Sequence, residues 1–367
     1  MTIDYSRQRW KGIKENYRLW WTGQLDRPLI QLTLIGRNPG RDEPELPGYD
    51  FQSFYDLSVP AETIVDRWDY ELSCLEFLGD AFPSRWLNFG PGVTAAFLGA
   101  KLVNRMDEGT VWFEPPEILA PGDLHFEYSN DSVWLKRIKD ICRAAIQRWD
   151  GLVQVGATDL GGVLDILSVF RPEGRLLLDL YDHPDEIKRL IWELHDLWFM
   201  YFDEINQVLQ PTNPGYSSWA TVYSEQPHYM LQSDFCYMIS PEMFDEFVKP
   251  ELIASCEKLA NPFYHMDGLG QLNKLDSLLS IEKLKGIQWI PGVGQPGPLE
   301  WIEVYRKIHE TGKRNHLLDS SGYAVKFDTL NAVLDQLGSG RSTVTAIQVP
   351  ISQKKEAIEF LKKHSVV

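Results

Sequence analysis

Apolar residues fall into two rhythms along this chain. Short apolar runs predict buried strands at Pro28–Ile35, Trp86–Phe89, Leu152–Val155, Ser218–Val222, Tyr229–Phe235, Pro262–Met266, Ile287–Ile290, His316–Leu318 and Thr343–Val349. Between them, apolar positions recur at helical spacing, most clearly over Tyr5–Gly23, His183–Leu209, Pro241–Leu259, Leu299–Glu310, Phe327–Leu337 and Gln353–Lys363. Ser240-Pro241-Glu242 opens one of these helices well. Serine caps the free amides, proline suits the first turn, and glutamate meets the positive end of the helix dipole.

From Leu152 onward strands alternate with helices, the pattern of a parallel sheet covered by helices. About eight or nine strands in one chain of this length point to an α/β fold, a single (β/α)8 TIM barrel, ahead of an open doubly wound sheet. Residues 1–27 are expected to form an N-terminal helical extension packed outside the barrel, and residues 28–367 the barrel itself. Lys101–Val103 and Thr110–Phe113, around Asp107-Glu108-Gly109, read as an inserted hairpin.

The composition narrows the field. With 44% hydrophobic residues among 367, a large core is affordable. No apolar run approaches the roughly 20 residues of a membrane span, and the first residues lack a signal-peptide core, so a cytoplasmic protein is expected. The net charge of −16 disfavours nucleic acid and anionic membranes as partners. Cys74, Cys142, Cys236 and Cys256 form no CxxC pair, so reduced thiols are expected and a structural zinc site is not. Thirteen tryptophans mostly fill a core, although aromatics at this density also suit a pocket for a flat or sugar-like ligand.

The stretch PFYHMDGLG, Pro262–Gly270, holds the strongest candidate chemistry. On a strand, His265 and Asp267 face the same side, and Gly268 ends the strand at its C-terminal rim, where barrels of this kind keep their sites. The same period pairs Asp234 with Cys236 on the preceding strand. Histidine and aspartate serve as a proton-transfer couple or as two ligands of a divalent metal. The competing explanation is a hydrogen-bonded pair that closes the strand end; for Cys236 a small buried hydrophobe is the better expectation. Gly156–Gly162 follows a strand but lacks both the Walker lysine and the GxGxxG spacing, so a plain strand-to-helix turn explains it equally well.

Asp234, followed by Ser240-Pro241-Glu242-Met243-Phe244-Asp245-Glu246-Phe247-Val248-Lys249-Pro250, resembles the segment of the uroporphyrinogen decarboxylase superfamily that leads into SPEMFxEFVxP. The resemblance extends with gaps from about Pro28 to Leu337. It implies a single (β/α)8 barrel acting as a decarboxylase or as a methyltransferase that exchanges methyl groups with a corrinoid protein. Against the decarboxylases' MRQAGR strand end, Leu32–Arg37 keeps only Gly36 and Arg37. Phe170 and Tyr323 stand where that family uses a tyrosine and a histidine. Uroporphyrinogen itself is therefore not the expected substrate.

Against the corrinoid methyltransferases, the HxCG motif becomes His265-Met266-Asp267-Gly268: the histidine ligand is kept and a thiolate becomes a carboxylate. The resemblance thus implies a harder site of His265 and Asp267, with Tyr323 as an optional oxygen ligand and zinc the first guess for the metal. The leading expectation is a methyltransferase of this superfamily with Asp234, His265 and Asp267 catalytic, a small-molecule substrate and a corrinoid partner protein. The alternatives are a decarboxylase or lyase whose Arg37 holds a small carboxylated substrate, and a non-catalytic barrel in which Trp219 and Tyr323 hold a ligand.

Overall fold

A computed structural model describes residues 3–367. Its strands are β1 (Leu29–Ile35), β2 (Leu75–Gly79), β3 (Ser84–Trp86), β4 (Lys101–Arg105), β5 (Thr110–Glu114), β6 (Gln154–Gly156), β7 (Met230–Gln232), β8 (Phe263–Asp267), β9 (Gly286–Ile290), β10 (Arg314–Leu317) and β11 (Thr343–Pro350). Seven form one sheet in the order β2-β1-β11-β10-β9-β8-β7, parallel except for β2, which runs antiparallel to β1. β3 and β6 form a separate parallel pair, and β4 and β5 are the expected hairpin. Thirteen α-helices accompany them among the described residues, making an α/β fold. None is long and apolar enough to cross a membrane.

Several strands that carry parallel pairs are covered on both faces. Every residue of β6, β7 and β9 is buried, which is why these segments read as apolar runs rather than as an alternation. The helix Arg7–Trp21 buries Trp10, Ile13, Tyr17 and Trp20 in the same core as the strands. Trp20 stacks on Phe263, the first residue of β8, and the Trp21 carbonyl accepts from Arg314 at the start of β10. The helix therefore covers the N-terminal ends of the strands and leaves their C-terminal ends for other work.

Gly286 is what lets β9 start beneath that helix. A Cβ there would lie 2.2 Å from the Phe263 ring and 2.7 Å from the Arg314 carbonyl oxygen. Gly286→Ala is expected to cost about 1–3 kcal/mol by overpacking, read as a lower urea midpoint with an unchanged slope.

Four expected elements differ. The strand expected at Trp86–Phe89 comes earlier, at Ser84–Trp86. Ser218–Val222 is not a strand; it is an irregular segment bracketed by the Tyr216–Ser224 bridge and held by side chains, among them the Gln31 amide on the Thr221 carbonyl. The expected strand Tyr229–Phe235 stops at Gln232, and Asp234–Met238 winds into a 3-10 turn. The expected helix Pro241–Leu259 is two, Pro241–Phe247 and Lys249–Lys258, because Pro250 has no amide to continue the ladder across Val248.

Candidate metal centre

Strand register brings a row of polar side chains to one level. Gln232 of β7 lies beside His265 of β8, His265 beside Gln288 of β9, and Gln288 beside His316 of β10. The Gln288 amide oxygen lies 2.6 Å from His265 Nδ1, and its nitrogen lies 2.7 Å from His316 Nδ1. With the amide oriented this way, His265 carries its proton on Nδ1 and keeps a lone pair on Nε2. Trp219 meets the His265 ring edge-on at 4.8 Å and fixes it from another side.

That lone pair is on the carboxylate side. His265 Nε2 is 3.9 Å from Asp267 Oδ2, and ligand atoms of Asp234, His265 and Asp267 all lie within 4.8 Å of one another. The expected same-side placement of His265 and Asp267 holds: both are half-buried while Met266 between them is fully buried. Gly268 then takes φ +79, a conformation open to glycine, and its amide donates to the Ile290 carbonyl, turning the chain away from the cluster.

Asp234 arrives by another route than the one expected. The Asp165 carboxylate accepts from the amides of Asp234 (3.0 Å) and Phe235 (2.7 Å) and so winds the chain after β7 into its 3-10 turn. Asp234 is left exposed at the rim while Cys236 is fully buried, so the two do not share a face, and burial pushes the Cys236 thiol well above its ordinary value. Gly162 permits the approach: a Cβ there would lie 2.2 Å from the Gln232 carbonyl and 2.5 Å from Asp165 Oδ2.

Two further carboxylates, which no sequence motif marks, complete the surroundings. Asp159 accepts from the Gly161 amide (2.9 Å) and the Gln232 side chain (3.1 Å); burial, opposed by these bonds, pushes it up to about 6. Burial, then the Asp234 charge, pushes Asp165 up to about 7. Although its side chain reaches solvent at the rim, Asp234 is crowded by the surrounding protein and by the Asp267 and Asp159 charges, and its carboxyl is pushed up as well. Burial lowers His265, against the pull of Asp267. Crowded carboxylates beside a neutral imidazole favour a cation that would relieve them.

Asp165 has a consequence for stability. Its proton is held more tightly in the folded chain than in the unfolded one, so its contribution is largest at low pH and is lost as pH rises from about 4 through 7. Asp165→Asn cannot ionise. In chelator, its melting temperature relative to the parent is expected to be higher by several degrees at pH 8 than at pH 5.

Two hollows open on the centre. One, of about 430 Å³, is lined by Asp234, Asp267, Tyr237, Leu269 and Val293. The other, of about 600 Å³, joins Asp165 and Asp234 to an apolar wall of Val111, Trp112 and Phe113 from the hairpin. Of the remaining predicted site residues, Trp219 touches His265 and the others lie elsewhere. Arg37 donates to the Ser73 carbonyl and pairs with Asp4 at 3.5 Å. Trp219 and the exposed Tyr323 line a third cavity, of about 350 Å³, and Tyr323 is outside the carboxylate cluster. No family model and no curated protein matches this chain.

Proposed function

We propose that Asp234, His265 and Asp267 hold a divalent cation, zinc first, and that the chain is a divergent enzyme of the uroporphyrinogen decarboxylase superfamily transferring a methyl group to a small acceptor. The observation that carries this is the convergence of one imidazole and two carboxylates whose histidine is oriented from behind by an amide. Metal-binding histidines are held in this way, by a hydrogen bond to the other ring nitrogen. A nitrogen-and-oxygen donor set suits an ion that polarises an oxygen- or nitrogen-bearing substrate.

A closed barrel of β1, β3 and β6–β11 would place the β3–β6 pair between β1 and β7. Residues of β1, β3, β9, β10 and β11 line one common cavity, as they would inside such a barrel. A decarboxylase is the second reading, favoured by the two carboxyls that hold protons near neutrality; Arg37, occupied by Ser73 and Asp4, lends it no support.

Zinc-loaded protein mixed with methylcobalamin and a panel of thiols, amines and alcohols separates these readings. Methyl transfer moves CH₃ from cobalt to the acceptor, releases the acceptor's proton and leaves cobalt(I), so the corrinoid spectrum changes. Spectra unchanged with every acceptor would remove the methyl-transfer reading and leave the metal site to be judged by binding alone.

A further inference from the structure

The 350 Å³ cavity is chemically unlike the metal centre. Its wall holds one charged side chain, Arg85, whose charge is matched by Glu71 at 2.5 Å while its buried Nε has no partner among the described residues. Burial holds His316 neutral, its pKa lowered to about 3. The remaining polar side chains are amides and hydroxyls, placed by register. Gln31 pairs with Ala346 and Thr33 with Gln348 across β1 and β11, so these residues present a polar strip on neighbouring strands.

Besides the buried Arg85 Nε and Trp219 Nε1, which have no partner among the described residues, two buried side chains in this wall have hydrogen-bonding capacity left over. His316 is 4% exposed; Gln288 takes its Nδ1, and its Nε2 has no protein partner among the described residues. Gln31 is 7% exposed; its amide nitrogen is taken by Tyr17 and Thr221, and its oxygen has no partner among the described residues. Buried polar groups without partners cost stability unless water or a ligand meets them. Trp219 adds an aromatic surface, and Tyr323 stands in the wall 72% exposed.

We infer that this cavity binds a neutral polyhydroxylated molecule, a polyol or monosaccharide, whose hydroxyls pair with Gln31, Thr33, His316 and Gln348 while its C–H face lies on Trp219. A carboxylate would find no unpaired cation here, and an ammonium would find no carboxylate in the wall. The volume accommodates a molecule of this size and lies within the ordinary range of small-ligand pockets. The inference does not depend on the metal, because binding is measured on the metal-free protein.

Isothermal titration tests it, using glycerol, erythritol, xylitol, glucose and myo-inositol as neutral probes and glycerate and gluconate as their charged counterparts. At least one neutral probe is expected to bind with a Kd of about 1 mM or tighter, and the acids about tenfold more weakly or not at all. Ala346→Leu, which fills the cavity from β11, is expected to abolish binding. Thr33→Val is expected to weaken it about tenfold and to leave zinc affinity unchanged. No binding of any neutral probe at about 10 mM, tighter binding of an acid than of its neutral parent, or unchanged binding by both variants would overturn it. Should Ala346→Leu fail to fold, Thr33→Val decides alone, unchanged binding counting against the cavity.

Discussion

His265→Ala is expected to lower zinc affinity by at least about 100-fold and to leave the metal-free protein's melting temperature nearly unchanged. The magnitude follows from what is removed: the loss of an outer-sphere partner alone costs about 10–100-fold in affinity, and His265 is the single imidazole in the cluster. The small effect on stability follows from its position. His265 is half-buried, and the Gln288 amide left behind lines the 350 Å³ cavity, so it can be hydrated rather than stranded. Titrations with zinc, paired with melts in chelator, read both quantities. Were His265 only one half of a pair closing a strand end, the variant would instead unfold early, by the roughly 1–3 kcal/mol of an unsatisfied polar group, and zinc would not stabilise the parent.

Met266→Ala should show the opposite pattern. Met266 is fully buried between two half-buried neighbours, and truncating it leaves a void that close-packed surroundings fill only in part. The expected cost is about 2–5 kcal/mol in urea unfolding, with zinc affinity per folded molecule preserved. Adjacent substitutions, one removing binding and one removing stability, would separate a site from a scaffold within a single strand.

How far this centre was legible in the sequence depends on the element that carries each residue. His265 and Asp267 were found because a regular strand delivers them, and two-residue alternation is the most reliable geometry a sequence offers. Asp234 was found for an inaccurate reason. Alternation predicted a partnership with Cys236, whereas the carboxylate of Asp165, remote in sequence, bends the chain and sends Asp234 to the rim alone. Asp159 and Asp165 were missed because no spacing rule connects the loop after β6 to the turn after β7; only the tertiary fold does.

Gln288 and His316 did carry a signal. Gln31, Gln232 and Gln288 each place an amide in a largely apolar strand, and His265 and His316 each place an imidazole; the four strands that carry all but Gln31, β7 to β10, lie side by side. A buried amide or imidazole there must be hydrogen-bonded, and the same oddity in consecutive strands points to a common interior row. The irregular Ser218–Val222 was misread because its apolar residues fill the core without joining a ladder.

Elemental analysis and calorimetric titration of the chelator-stripped chain with Zn²⁺ test the central claim most directly. The account predicts saturable binding of one ion per chain. It also predicts a stabilisation of about 2.7 kcal/mol once free zinc reaches about a hundred times Kd, and loss of both when Asp234, His265 and Asp267 are replaced together by Asn, Ala and Asn. Absence of saturable binding, or equal binding by the parent and the triple variant, would contradict it.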